Sequence, residues 1–140
     1  MQRFAIKALE AWKARSNSKP MIIRGARQVG KTWLLKTFGR TYYKQTAYVN
    51  FEQTKSLRAL FEQDYDLKRI LTALHIHTGK PVDPRHTLLI FDEIQAAPGA
   101  LTALTSFYEE RPEYQILAAG STLGVALHSN SSFPVGKVEF

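Results

Sequence analysis

The stretch Met21-Ile22-Ile23-Arg24-Gly25-Ala26-Arg27-Gln28-Val29-Gly30-Lys31-Thr32-Trp33-Leu34-Leu35 decides how the rest of the chain is read. Its opening apolar run, stopped by Gly25, reads as a short buried strand. Trp33, Leu34, Leu35 and Phe38 then recur at helical spacing, and the helix is expected to end near Gly39. Between strand and helix, residues 25–32 fit the pattern G-x-x-x-x-G-K-[ST] in full. A loop that wraps a polyphosphate with its backbone N–H groups needs glycine where a side chain would strike an oxygen, and Gly25 and Gly30 stand at those places. Lys31 opens the helix, where the peptide dipoles already favour anions, and adds an ammonium that follows the outer phosphates. Thr32 supplies a hydroxyl ligand for Mg2+. The expected binding set is therefore Gly25, Ala26, Arg27, Gln28, Val29, Gly30, Lys31, Thr32 and the adjoining Trp33. Arg24 and Arg27 either neutralise phosphate charge from within the loop or point to solvent.

The run Thr87-Leu88-Leu89-Ile90-Phe91 is apolar at consecutive positions and stops abruptly in Asp92-Glu93, with Asp92 standing 61 positions after Lys31. Such a run suits a central parallel strand buried on both faces, which delivers two carboxylates to the sheet edge where ligands bind. Asp92 is expected to hold Mg2+ through its water shell, and Glu93 to orient and deprotonate the attacking water. Taken alone, the pair equally suits a helix cap or a solvated strand end. A third apolar strand, Gln115 to Ala119, leads into Gly120-Ser121. A hydroxyl there, from Ser121 or from Thr122 beside it, can sense the terminal phosphate, although a serine at a strand end is also ordinary turn chemistry.

The remaining segments frame these motifs. Phe4, Ala5, Ala8, Leu9 and Trp12 share one helical face, and Asn17 to Pro20 ends that helix. Thr46 to Phe51 reads as a strand. Leu57, Leu60 and Phe61, then Leu67, Ile70, Leu71 and Leu74, give two helices, and Leu101, Leu104, Thr105 and Tyr108 another. Gly136 to Phe140 reads as the opening of a further strand. Strands alternating with helices imply an α/β fold, a parallel sheet with helices on both faces.

Composition narrows the function classes. Of 140 residues, 44% are apolar and 22% charged, which suits a soluble globular domain and argues against a disordered chain. With no cysteine, a disulfide framework, a thiolate zinc site and a cysteine nucleophile are excluded. Charges break the N-terminal apolar pattern every three or four residues, so neither export nor a membrane span is expected, and the cytoplasm is the expected location. Residues 1–44 hold 11 Lys/Arg against one Glu, whereas residues 45–140 hold 8 against 11 Asp/Glu. The first third thus faces an anionic partner. The segment from Arg40 to Lys44, with Lys7, Lys13, Arg15 and Lys19, mixes basic and aromatic residues and suits either a nucleic-acid surface or a solvated face. His75 and His77, about 200° apart around a helix, cannot share one ion. No Lys or Arg occurs between Thr122 and Gly136.

With these motifs in this order, the chain resembles the AAA-type P-loop ATPases. RGARQVGKTWLL, LLIFDEIQ and GSTLGVALHSNSSFPVGKVEF are similar to a bacterial and archaeal family of predicted ATPases with an N-terminal AAA module and a C-terminal domain of unknown function. The resemblance implies a three-layer αβα sandwich with an additional strand between the phosphate-loop strand and the acid-pair strand. It implies ATP rather than GTP, since no guanine-reading N-K-x-D sequence is present, with Mg2+ as cofactor. It assigns catalysis to Glu93, Lys31 and Ser121, and metal binding to Thr32 and Asp92. Residues 1–140 then form a single ATPase domain, with 1–19 a basic helix and linker, cut in its last strand and lacking lid and further domain. The implied activity is ATP hydrolysis to ADP and phosphate, coupled to a conformational change. The alternative is a nucleotide-gated module that binds nucleic acid or a protein. A small-molecule kinase would share the loop but needs an acceptor pocket and basic lid.

Overall fold

The computed structural model describes residues 2–14, 19–24, 29–63, 66–120 and 135–137. In chain order these form α1 (Gln2–Ala14), β1 (Met21–Arg24), α2 (Val29–Tyr42), β2 (Gln45–Asn50), α3 (Lys55–Gln63), α4 (Leu67–Thr78), β3 (Thr87–Asp92), α5 (Pro98–Glu110), β4 (Gln115–Gly120) and β5 (Val135–Lys137). A single 3-10 turn, Ile94–Ala96, links β3 to α5.

The strands make one sheet in the order β2-β3-β4-β1-β5, and every pairing is parallel. Side chains alternate across the sheet, and two apolar clusters divide along that alternation. Ile23, Leu88, Ile90, Leu117 and Ala119 pack with Leu9 and Trp12 of α1 and Leu34, Leu35 and Phe38 of α2. Ile22, Ala47, Val49, Leu89, Phe91, Ile116 and Ala118 pack on the other side, against α3, α4 and α5. The result is the expected three-layer sandwich. All six residues of β3 are buried, which explains why its sequence reads as an unbroken apolar run rather than an alternating one.

The strand order shows how the layers relate to the motifs. β2 separates the phosphate-loop strand from the acid-pair strand along the chain, yet in space it takes the far edge. The strand lying between β1 and β3 is β4.

Several boundaries differ from the sequence reading: β2 runs Gln45–Asn50 rather than Thr46 to Phe51, and α2 begins at Val29, two residues before Lys31. The second helix passes Gly39 and continues to Tyr42. A Cβ added at Gly39 would lie 2.4 Å from Thr46 Oγ1, so this glycine answers to a close approach between α2 and β2 rather than to a helix stop. The last strand runs Val135–Lys137 instead of beginning at Gly136, and residues 138–140 fall outside the described set.

A second close approach sets the chain's path after Glu93. Gly99, in the first turn of α5, carries hydrogen where a Cβ would stand 2.2 Å from the Phe61 carbonyl oxygen. Pro98 starts the same helix, where its missing N–H costs nothing. The neighbour here is backbone and cannot rotate away. Gly99→Ala should therefore destabilise the fold by about 1–3 kcal/mol despite alanine's better helix propensity. Urea unfolding checks this, and a stabilised variant would contradict the packing.

Candidate active site

Since the strands are parallel, the C-terminal ends of β1, β2, β3 and β4 lie along one edge of the sheet, the edge at which open α/β sheets bind ligands. Of the expected site residues, Gly25, Ala26, Arg27, Gln28, Ser121 and Thr122 lie outside the described residues, as do the side chains of Arg24 and Val29. Gly30, Lys31, Thr32 and Trp33 form the first turns of α2, and Asp92 and Glu93 end β3. Leu88 and Ile90 face the α1–α2 layer, so the same alternation turns Asp92 toward α2.

The two motifs meet. The Thr32 hydroxyl donates to Asp92 Oδ2 at 2.9 Å, and Lys31 Nζ stands 3.5 Å from Glu93 Oε1. Asp92 Oδ1 accepts the backbone N–H of Glu93 at 2.9 Å. Glu93 itself has φ 53° and ψ 46°, the only non-glycine residue with positive φ among the described residues. A left-handed conformation costs a side-chain-bearing residue about 1–2 kcal/mol. It is supported by the 3-10 turn that follows, whose Ala96 N–H donates to the Glu93 carbonyl at 3.0 Å. The second carboxylate oxygen, Oε2, accepts from Gln95 Nε2 at 2.9 Å. Glu93 is thus spanned between a buried ammonium and a carboxamide.

Lys31 is the telling group. Its side chain is 1% exposed, and among the described residues its Nζ has no hydrogen-bond acceptor. A buried ammonium carries three donors and a large desolvation cost, which one carboxylate at 3.5 Å meets only in part. Phosphate oxygens fit that unmet demand. Gly30 points the same way. It lies in helix, where glycine is unfavourable, and a Cβ built on it meets no described atom within 4 Å. Among the described residues neither packing nor a left-handed backbone calls for glycine there, and the open space leaves clearance that a ligand could use. Thr32 and Asp92 offer hard oxygen donors, and among the described residues no cluster of three or more His, Cys, Asp or Glu forms a protein-only metal cage. That donor set fits Mg2+, which characteristically takes one or two protein oxygens and completes its shell with phosphates and water.

One residue of the site escaped the sequence reading altogether. Tyr48, on β2, donates its hydroxyl to the same Asp92 Oδ2 at 2.6 Å. Burial first, then the bond to Asp92 and its negative charge, raise the phenol pKa well above its ordinary value, so the group remains a proton donor throughout the physiological range. Lys36 Nζ sits 4.1 Å over the Tyr48 ring. The usable signal was the alternation along β2: Ala47 and Val49 belong to one apolar cluster, whereas Tyr48 packs against the other, beside α2.

The weaker expectations resolve unevenly. Trp33 is 49% exposed on α2. Tyr42 bonds Glu10 through its hydroxyl, Tyr43 bonds Gln115, and both rings pack on Phe38. The aromatic rings of the basic segment therefore tie α2 to α1 and β4, and Lys13 and Lys19 lie over the rings of Tyr43 and Tyr108. His75 Nδ1 lies 2.8 Å from the Lys80 carbonyl, just past the C-terminus of α4.

This geometry agrees with sequence comparison: a family profile described as an AAA domain matches residues 17–140. The chain belongs to the AAA domain family. Membership gives the AAA domain a nucleotide-binding, ATPase-like function. No curated protein matches the sequence. Among solved structures, the AAA domain is similar to C. elegans PCH-2, with a TM-score of 0.48 and 15% identity over 99% of this chain. It spans 39% of the PCH-2 chain. Among the described residues, no helix of the AAA domain is long and apolar enough to cross a membrane.

If Gly30 is kept for ligand clearance, stability and binding should part company on substitution. Gly30→Ala is expected to stabilise the nucleotide-free protein by about 0.4–1 kcal/mol. The same change should abolish binding of a fluorescent ATP analogue. Retained binding would show that the space beside Gly30 is not used.

Proposed function

We propose that this AAA domain is an Mg2+-dependent ATPase that hydrolyses ATP to ADP and phosphate and couples turnover to a conformational change. The reading is carried by one observation, the convergence of Lys31–Thr32 with Asp92–Glu93 across 61 positions of chain. Backbone amides of residues 25–32 and the N-terminus of α2 receive the triphosphate. Lys31 neutralises phosphate charge that develops during transfer, in a site dry enough for that charge to matter. Thr32 and Asp92 would hold Mg2+, which when bound would supply positive charge to offset the negative charge that develops on the phosphoryl group.

Glu93 orients the attacking water and accepts its proton. Its carboxylate is already directed at the Lys31 ammonium, the group that contacts phosphate, so a base stands beside the phosphoryl-binding cation. Gln95 keeps hold of the other oxygen and limits how far the carboxylate can swing. Ser121 is proposed as the sensor of the terminal phosphate.

Two substitutions separate binding from chemistry. Lys31→Ala should weaken ATP binding by about 100-fold or more, since it removes a charge-assisted contact to phosphate. Glu93→Gln should bind ATP within about threefold of wild type while slowing phosphate release by about 100- to 10,000-fold, the range expected for loss of a general base. Isothermal titration and a phosphate-release assay provide both numbers. Equal ATP affinity in wild type and Lys31→Ala would overturn the proposal.

A further inference from the structure

Asp92 Oδ2 accepts two hydroxyl protons, from Thr32 and from Tyr48. The first belongs to the phosphate-loop helix; the second comes from β2, the edge strand, which contributes nothing else to the chemistry proposed above. Parallel register sets Asn50 opposite Asp92 and Tyr48 opposite Ile90. The tyrosine therefore reaches forward along the sheet by one side-chain repeat to meet the carboxylate.

Tyr48 is also anchored to α2. Lys36 holds its ammonium 4.1 Å above the ring, and Thr32, one helical turn earlier on the same helix face, shares the carboxylate oxygen with the Tyr48 hydroxyl. The phenol thus lies beneath one face of α2, with its ring under the second turn and its hydroxyl at the first. The ring's packing does not require the hydroxyl, since phenylalanine offers the same apolar surface. What the hydroxyl adds is a 2.6 Å charge-assisted bond to an almost fully buried carboxylate.

We infer that Tyr48 is the positioning residue for the metal-side carboxylate, and that its hydroxyl fixes Asp92 for Mg2+. The inference rests on the ATPase reading. Together the three donors, Thr32 and Tyr48 on Oδ2 and the Glu93 N–H on Oδ1, hold the carboxylate in one orientation before any cation arrives. A carboxylate ordered in advance loses less rotational freedom on ligation, and hydrogen-bonded partners behind a metal ligand commonly account for 10- to 100-fold in metal affinity.

The test compares ATP binding by wild type, Tyr48→Phe and Tyr43→Phe in EDTA and across an Mg2+ titration, with thermal unfolding of each protein. Tyr43→Phe is the control, because its hydroxyl is also hydrogen-bonded, to Gln115, but not to the site. In EDTA all three should bind ATP within about twofold of one another. Tyr48→Phe should raise the Mg2+ concentration that half-maximally tightens ATP binding by about 10-fold. Tyr43→Phe should leave it unchanged. An unchanged Mg2+ requirement in Tyr48→Phe would overturn the inference and leave the ATPase reading intact. So would an equal loss of ATP affinity with and without Mg2+, which marks a structural role. Wild-type protein that binds no ATP under either condition would instead remove the ATPase reading itself.

Discussion

The Lys31 ammonium lies in the interior, and its one compensating charge among the described residues is the Glu93 carboxylate 3.5 Å away. A cation in that position is unfavourable unless an anion is brought to it, and much of the local architecture serves that end. β3 must end one residue before Glu93. Glu93 must turn left-handed, at a cost, so that its carboxylate faces α2 rather than continuing along the strand. The 3-10 turn and the close seat of Gly99 against Phe61 then carry the chain away without disturbing that turn. The ion pair is incomplete by design of its surroundings: three ammonium donors and one carboxylate leave demand that a polyphosphate can meet.

The sheet supplies the framework for this pairing. In the order β2-β3-β4-β1-β5, the loop-bearing strand and the acid-bearing strand are separated by β4, whose end carries Gly120 toward Ser121. The C-terminal ends of these three strands therefore lie along one edge, beside the N-terminus of α2. Burial of β3 on both faces gives the carboxylates a rigid base, and Thr32 joins that base to α2 through a single hydrogen bond. Regular elements on both sides keep Lys31 and Thr32 within contact distance of Glu93 and Asp92.

Much of this was legible in the sequence because the signals were local. The phosphate loop is a contiguous pattern, and β3 announces itself by consecutive apolar residues that only a doubly covered strand tolerates. What remained hidden depends on contacts between distant segments. Gly39 reads as a helix stop until its approach to Thr46 is seen. The position of β4 between β1 and β3 follows from strand order, which hydrophobic periodicity does not encode. Tyr48 reads as one β-forming residue among several, since its role depends on the β2–β3 register. The left-handed turn at Glu93 likewise has no glycine or asparagine to mark it.

The Thr32–Asp92 hydrogen bond joins the head of α2 to β3, and the proposed function requires the two side chains to act as one unit. A double-mutant cycle of Thr32→Val and Asp92→Asn, read as the free energy of Mg2+·ATP binding, tests it most directly. The geometry predicts a coupling energy of about 1–3 kcal/mol, as expected for contacting residues in one hydrogen-bonded network. Additivity within about 0.3 kcal/mol would mean that the two side chains do not work together, and would contradict the account.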